Sequence, residues 1–188
     1  ESRNRHVLPN HVVDGKKVFV IGSSWLEDEE VLFPALIECH QRNENLLTVL
    51  VPHEPDEETL ERIEFMLNGK ISNIRLSSLA DYKNERVIVV DSIGVLMALY
   101  QYAHVAYVGG SFRQGIHNVL EPAVYGVPLL FGPKHENSQE AVQLVKQEAA
   151  FVISTSDEAQ QLLSKCLQDE MFRQRAGATA REFVERNI

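Results

Sequence analysis

Short runs of apolar residues alternate along the chain with longer segments in which apolar positions recur at helical spacing. The short runs predict strands at residues 17–21, 46–51, 71–76, 87–90, 104–108, 129–131 and 150–153. The longer segments predict helices at residues 27–40, 56–67, 95–102, 120–125, 137–147, 157–168 and 169–187. This regular alternation is typical of an α/β fold with a doubly wound parallel sheet. Residues 1–16 carry little pattern and are expected to form a linker or leading arm.

The composition is that of an ordinary globular domain and excludes some functions. The net charge of −9 argues against nucleic-acid binding, which usually needs a basic surface. Cys39 and Cys166 lie far apart in helix-like segments, so we expect two reduced thiols in a reducing compartment. No apolar run approaches the ~18–20 residues that span a bilayer, and no signal peptide is recognisable. The chain begins at Glu1 without a methionine, and we interpret it as an excised piece.

Polar residues and glycines follow four of the predicted strands. They form the segments Gly22-Ser23-Ser24, Pro52-His53, Ser92-Ile93-Gly94-Val95 and residues 109–121. Because the carboxyl ends of parallel strands meet at one edge of a sheet, we expect these segments to converge. Open α/β sheets bind their ligands at that edge, so the sequence predicts a binding site there.

The most informative of these segments reads GGSFRQGIHNVLEPAVYGVPLLFG over residues 109–132. Its glycines would let backbone N–H groups approach an anion closely, and the predicted helix N-terminus would add partial positive charge. We therefore expect Gly109, Gly110, Ser111 and the backbone after Gly115 to hold a phosphate.

His117, Asn118 and Glu121 allow two interpretations. Asn118 could be the N-cap of the next helix and Glu121 its third residue, as in a capping box, although Pro122 would then lose a backbone hydrogen bond. Alternatively, Glu121 accepts hydrogen bonds from the two hydroxyls of a ribose, since a carboxylate offers two acceptor oxygens and no donor. Asn118 and nearby amides would then hold phosphate or base.

Other candidate groups also have purely structural explanations. His53 is either a phosphate donor or a solvated loop residue, and Trp25 either stacks on a ligand or packs in the interior. The acidic run Glu27–Glu30 is typical of a first helical turn. Ser23 and Ser24 lack a partnered His–Asp pattern, which argues against a serine hydrolase. No HExxH or similar spacing occurs, so no catalytic metal is expected.

Two segments, VDSIGVLMALYQYAHVAYVGGSF at 90–112 and GIHNVLEPAVYGVPLLFGPKHEN at 115–137, resemble the C-terminal half of 3-deoxy-D-manno-octulosonic acid (Kdo) transferases. The resemblance covers most of residues 17–187 and is most specific over 88–137. It implies that residues 17–188 form a Rossmann-like domain, the C-terminal half of a GT-B glycosyltransferase. In that family two such domains face each other across a cleft, and the C-terminal one binds the CMP part of the donor CMP-Kdo.

The family's CMP contacts carry over only where its motifs match. Its Pro-Arg-His segment reads Pro-His-Glu here, its Met-Gly-Glu reads Ile-Gly-Val, and its Asn-Pro-Leu-Glu reads Asn-Val-Leu-Glu. The resemblance thus implies a CMP site formed by Pro52, His53, Ile93, Gly94, Val95, Asn118, Val119, Leu120 and Glu121. His53 stands where the family has an arginine. Further donor phosphate or sugar contacts are expected at Gly22, Ser23, Ser24, Gly109, Gly110, Ser111, Gly115 and His117.

The resemblance also implies a reaction and partners. A hydroxyl of the lipid A precursor (lipid IVA) attacks the anomeric carbon of Kdo with inversion, without metal or cofactor, and CMP leaves. The catalytic base would be a glutamate of an N-terminal domain absent from this chain, so no catalytic residue is assigned here. We expect the fragment to be soluble, to bind CMP weakly and to be inactive alone. The full-length protein would serve lipopolysaccharide biosynthesis at the cytoplasmic face of the bacterial inner membrane.

Two other functions remain compatible with the sequence. One is a GT-B enzyme that uses a UDP-sugar, either a transferase or an epimerase. The other is a non-enzymatic nucleotide-binding or regulatory α/β module. A preference for UDP over CMP would favour the first, and a glutamate base in an upstream domain would argue against the second.

Overall fold

A single seven-stranded parallel sheet organises the computed structural model, which describes residues 5–187. Its order is β3-β4-β2-β1-β5-β6-β7, so the direction of winding reverses between β1 and β5. The strands are β1 (Lys17–Ser24), β2 (Leu46–Pro52), β3 (Asn73–Arg75), β4 (Val87–Val89), β5 (Val105–Val108), β6 (Leu129–Phe131) and β7 (Ala150–Val152).

Helices connect the strands and cover both faces of the sheet. They are α1 (Asn10–Val13), α2 (Leu26–Arg42), α3 (Glu57–Leu67), α4 (Leu96–Leu99), α5 (Leu120–Ala123), α6 (Gln139–Lys146), α7 (Ser156–Gln168) and α8 (Glu170–Arg186). Two 3-10 segments, Leu76–Asp81 and Tyr100–Tyr102, complete the connections.

The alternation of side chains along β1 explains why the sheet has two apolar faces. Phe19 and Ile21 point to one face and pack in a cluster with residues of α2, α3 and α7. Val18 and Val20 point to the other and pack in a second cluster, which includes Tyr100. Successive residues of a strand face opposite sides, so a strand covered on both faces reads as a continuous apolar run.

The predicted fold class is confirmed, and each predicted strand has a counterpart in the sheet. Some elements differ from the prediction. The helix expected at 95–102 is divided into α4 and a 3-10 turn, and the helix expected at 120–125 is only the four residues of α5. Cys39 and Cys166 are buried free thiols, as predicted.

The described part of the expected leading arm packs against the sheet. Leu8 and Val12 are buried in the same cluster as Val18 and Val20. The Tyr102 hydroxyl accepts hydrogen bonds from the backbone N–H groups of Val7 and Leu8. The short helix α1 was not predicted, because four residues are too few to show helical periodicity.

Candidate functional site

The ends of β1, β2 and β5 meet at the carboxyl edge of the sheet. The backbone N–H of His53 donates to the Ser24 carbonyl over 2.9 Å, and the N–H of Gly109 donates to the Gly22 carbonyl over 2.8 Å. The three predicted segments after these strands are therefore neighbours, as expected. The edge lies at the switch of winding direction between β1 and β5, where open α/β sheets form their ligand crevice.

The glycine turn after β5 satisfies its own backbone amides. The N–H of Gly110 donates to Asp28 Oδ2 over 3.1 Å, and the N–H of Gly115 donates to the Gly110 carbonyl over 3.0 Å. Gly110 has a φ of +103°, and a Cβ there would lie 2.3 Å from the Gly115 oxygen. The buried Ser111 hydroxyl accepts from the N–H of Gly132 over 2.6 Å. In this conformation these groups shape the turn, and the amides of Gly109, Gly110 and Gly115 have partners within the protein.

A buried carboxylate holds this turn in place. Asp28 is 0% exposed and accepts hydrogen bonds from the Tyr107 hydroxyl at 2.6 Å, the Trp25 N–H at 2.9 Å and the Gly110 N–H. Burial raises the pKa of Asp28, although these three donors oppose the rise. The sequence predicted only a first-turn helix carboxylate here. That role is present in the Trp25 contact, but the link to β5 could not be inferred from local pattern.

Glu29 forms a second buried contact at the same helix start. Its carboxylate accepts from the Ser24 hydroxyl at 2.8 Å and from the Arg62 guanidinium at 2.7 Å. Burial raises the pKa of Glu29, and the Arg62 hydrogen bond opposes the rise. Ser24 is therefore engaged inside the protein. Its neighbour Ser23 adopts a φ of +54°, which is uncommon for a residue other than glycine and marks local strain at the end of β1.

Four side chains from three loops form one cluster on the edge: Trp25, His53, Arg113 and His117, named here the Trp25 cluster. The Trp25 and His53 rings stack with centroids 4.2 Å apart, and the His53 and His117 rings stack at 4.6 Å. The Arg113 guanidinium lies 4.2 Å from the centre of the Trp25 ring. The sequence left Trp25 open between ligand stacking and interior packing, and it did not indicate Arg113.

The contacts of His117 fix its protonation state. Trp25 Nε1 donates to His117 Nε2 over 2.9 Å, so Nε2 is an acceptor and the imidazole is neutral with its proton on Nδ1. Burial, together with the neighbouring His53, lowers the pKa of His117. His117 is thus an uncharged donor at neutral pH.

Asn118 and Glu121 lie at the start of α5 without forming a capping box. The residue that caps α5 is Val119, and Asn118 Oδ1 instead accepts from the Leu120 N–H at 2.9 Å. The Asn118 amide also reaches Glu121 Oε1 at 3.5 Å. Pro122 is the third helical residue, where a missing N–H costs no intrahelical bond. The capping interpretation of Glu121 is therefore wrong. Burial raises the pKa of this half-buried carboxyl.

The remaining predicted CMP contacts divide into buried and exposed groups. Ile93 is 82% exposed beyond β4, and the adjacent Gly94 is exposed with a φ of +83°. Pro52, Val95 and Val119 are buried, so their side chains belong to the interior. Leu120 is half-buried. Of the predicted CMP contacts in the segment after β4, Ile93 and the Gly94 backbone are therefore the accessible ones.

A cavity of about 690 Å³ is lined by Arg42, Gln160 and Ser164, which places it at the end of α2 remote from Trp25.

Within residues 5–187, no group of three or more His, Cys, Asp or Glu side chains is arranged to hold a metal ion. None of the helices among those residues is long and apolar enough to cross a bilayer.

The fold has close counterparts among solved structures. The C-terminal CMP-Kdo binding domain of WaaA from Acinetobacter baumannii aligns with a TM-score of 0.81 and 24% identity, over 92% of this chain and 91% of that one. The parallel sheet, its winding and the ligand edge at the β1/β5 switch define the C-terminal domain fold of GT-B glycosyltransferases. No protein-family model matches the chain.

The sequence relatives include several Kdo transferases. The chain is 29% identical over 181 residues to the 3-deoxy-D-manno-octulosonic acid transferase of Rickettsia bellii, covering 92% of this chain and 42% of the relative. It is 39% identical over 126 residues to the enzyme of the same name from Chlamydophila psittaci, covering 65% of this chain and 28% of that protein. The resemblance to Kdo transferases is thereby confirmed. The chain spans less than half the length of these relatives.

Proposed function

We propose that this chain is the donor-binding domain of a Kdo transferase and that it holds the CMP part of CMP-Kdo. The observation that carries the proposal is the convergence of His53, His117, Asn118 and Glu121 at the β1/β5 switch point, in a chain related to Kdo transferases. His53 follows β2 and the other three residues follow β5, and a nucleotide lying across the edge could contact both segments together.

Glu121 is the proposed ribose acceptor. Its carboxylate is half-buried, and Asn118 approaches it only weakly, at 3.5 Å. A ribose diol would offer two donors to its two oxygens. Ile93 and the Gly94 backbone are exposed beyond the end of β4, and we propose that the cytosine base rests against them.

The chemical step places a requirement on the phosphate side of the site. When an acceptor hydroxyl attacks the anomeric carbon of Kdo, the bond to the CMP oxygen breaks and negative charge grows on the phosphate. Fixed N–H donors directed at that charge lower the barrier. The neutral His117, with its proton on Nδ1, and His53 beside it are two side-chain donors of this edge.

A second domain completes the proposed enzyme. The relatives are more than twice as long as this chain. We propose that an N-terminal domain faces this edge, supplies the base and binds the lipid A precursor at the cytoplasmic face of the bacterial inner membrane. The isolated chain would then bind the nucleotide without transferring Kdo.

Calorimetric titration of the 188-residue chain with CMP and with UDP tests the donor assignment. CMP should bind more tightly than UDP. A preference for UDP would favour a UDP-sugar enzyme, and failure to bind either nucleotide would contradict nucleotide binding itself. Incubation with CMP-Kdo and lipid IVA should give no Kdo-lipid product, and turnover by this chain would contradict the need for a second domain.

A further inference from the structure

Arg113 carries a positive charge that no carboxylate among residues 5–187 neutralises by an ion pair. It extends from the turn at residues 111–114 and rests on the Trp25 ring at 4.2 Å. Other arginines of the fold pair with acids, such as Arg62 with Glu29 and Arg75 with Glu57. Within the described part of the chain, neither Arg113 nor Lys134 lies within ion-pair distance of a carboxylate.

Lys134, in the loop after β6, adds a second charge beside this turn. Its ammonium donates to the Arg113 carbonyl over 3.1 Å, and both side chains are exposed. Asp28, a buried acid of this region, already accepts three hydrogen bonds from other groups. Two cations, one from the loop after β5 and one from the loop after β6, therefore lie side by side without an ion-pair partner among residues 5–187, in a protein whose net charge is −9.

The aromatic contact positions Arg113 without consuming its donors. A guanidinium over an indole is attracted by the face of the ring, while its N–H groups remain in the guanidinium plane and free to bind an anion. Trp25 is itself held by its stack with His53 and its hydrogen bond to His117. The guanidinium is thus anchored beside His53 and His117, which the proposed function assigns to the phosphate of the bound nucleotide.

We propose that Arg113, assisted by Lys134, is the principal phosphate-binding residue of the donor site. This assignment rests on the proposed function, because it places the phosphate of the bound nucleotide next to the Trp25 cluster. A planar guanidinium can bind two phosphate oxygens at once, which a single imidazole N–H cannot do. Neutral His117 then contributes a hydrogen bond, and Arg113 contributes the charge.

The test compares CMP with cytidine, which lacks the phosphate, by calorimetry on the 188-residue chain. Arg113→Gln should weaken CMP binding about tenfold or more, since a charge-assisted hydrogen bond is lost, and should leave cytidine binding nearly unchanged. The CMP affinity of Arg113→Lys should lie between those of the wild-type chain and Arg113→Gln. Lys134→Gln should weaken CMP binding less than Arg113→Gln does. Arg42→Gln is the matched control, because Arg42 is an exposed arginine at the opposite end of α2.

The outcomes separate this assignment from the proposed function. If wild-type protein prefers CMP to cytidine and Arg113→Gln keeps that preference, another group holds the phosphate and the assignment is overturned. If Arg113→Gln weakens cytidine as much as CMP, Arg113 only supports the fold of the site, which also overturns it. If the wild-type chain does not bind CMP at all, the proposed function fails and this assignment fails with it. Thermal unfolding of each variant shows whether it remains folded.

Discussion

Trp25 Nε1 donates a hydrogen bond to His117 Nε2 over 2.9 Å, and this one contact joins the loop after β1 to the loop after β5. Trp25 is the only tryptophan of the chain, so its fluorescence reports directly on the candidate site. Protonation of His117 at Nε2 would remove the acceptor and place a cation beside the indole.

The fluorescence of Trp25 should therefore change with pH, with a midpoint below the ordinary pKa of a histidine. Burial and the neighbouring His53 lower the pKa of His117, so its protonation should occur below the ordinary value of about 6.5. A fluorescence titration from neutral to acid pH measures this midpoint. In His117→Gln the transition should be lost or reduced, whereas in His6→Gln, a change at an exposed residue, it should persist. A midpoint above that of a free histidine would contradict the assignment.

Glu121→Gln should weaken CMP binding by about 1.5–3 kcal/mol if the carboxylate accepts the ribose hydroxyls. The free energy of unfolding should change little, because Glu121 does not cap α5. Calorimetry with CMP and urea unfolding measure the two quantities. Glu61→Gln, on the exposed face of α3, is the control. Loss of stability with unchanged CMP affinity would show that Glu121 is structural.

Asp28→Asn should destabilise the fold by about 1–3 kcal/mol. The carboxylate accepts from Trp25, Tyr107 and Gly110, and an amide would turn an N–H group toward at least one of these donors. Urea unfolding measures the change, and Glu27→Gln on the same helical turn should be close to neutral. Equal stability of the two variants would mean that the Gly110 turn does not depend on Asp28.

Gly110→Ala should be more destabilising than Gly69→Ala, although both residues have a positive φ. A Cβ at Gly69 meets nothing within 4 Å, so only the backbone penalty of roughly 1–2 kcal/mol applies. A Cβ at Gly110 would collide with the Gly115 oxygen and the His117 ring. Thermal unfolding of the two variants gives the comparison. A similar loss for both would indicate that the turn can move at little cost.

Stability should fall as the pH drops below about 6.5, because His40 is buried in its neutral form. Burial, with the nearby Arg86, lowers the pKa of His40 to about 3. The unfolded chain binds this proton near the ordinary pKa and the folded chain does not. Between the two pKa values, about 6.5 in the unfolded chain and about 3 in the folded one, His40 alone should therefore lower the free energy of unfolding by about 1.4 kcal/mol for each unit that the pH falls. Above about pH 6.5 it should have no effect. His40→Gln should reduce the slope measured by urea unfolding across this range, whereas His6→Gln should not.

The sequence predicted the parts of the structure that depend on local pattern. Apolar runs located the strands, and the rule that parallel strands share a carboxyl edge brought His53, Gly109 and His117 together. What it missed depends on contacts between distant segments. In the sequence, Asp28 is an ordinary first-turn carboxylate, and only the fold brings the Gly110 N–H of the turn after β5 to it. Likewise, Arg113 is an ordinary loop cation in the sequence, and only the fold brings it onto the ring of Trp25, which follows β1. Both contacts depend on the order of the strands in the sheet, which no local sequence pattern indicates.

The anchoring of Val7 and Leu8 by Tyr102 sets the direction from which the polypeptide approaches the domain. These residues lie before the start of β1, at the amino edge of the sheet, whereas the Trp25 cluster lies at the carboxyl edge. The eight residues of β1, at about 3.3 Å each, separate the two edges by about 25 Å. Suppose that a further domain precedes residue 5 and packs over the Trp25 cluster. The polypeptide linker between that domain and residue 5 would then have to span the distance between the two edges of the sheet. The length of that linker would limit how far the cleft between the two domains can open.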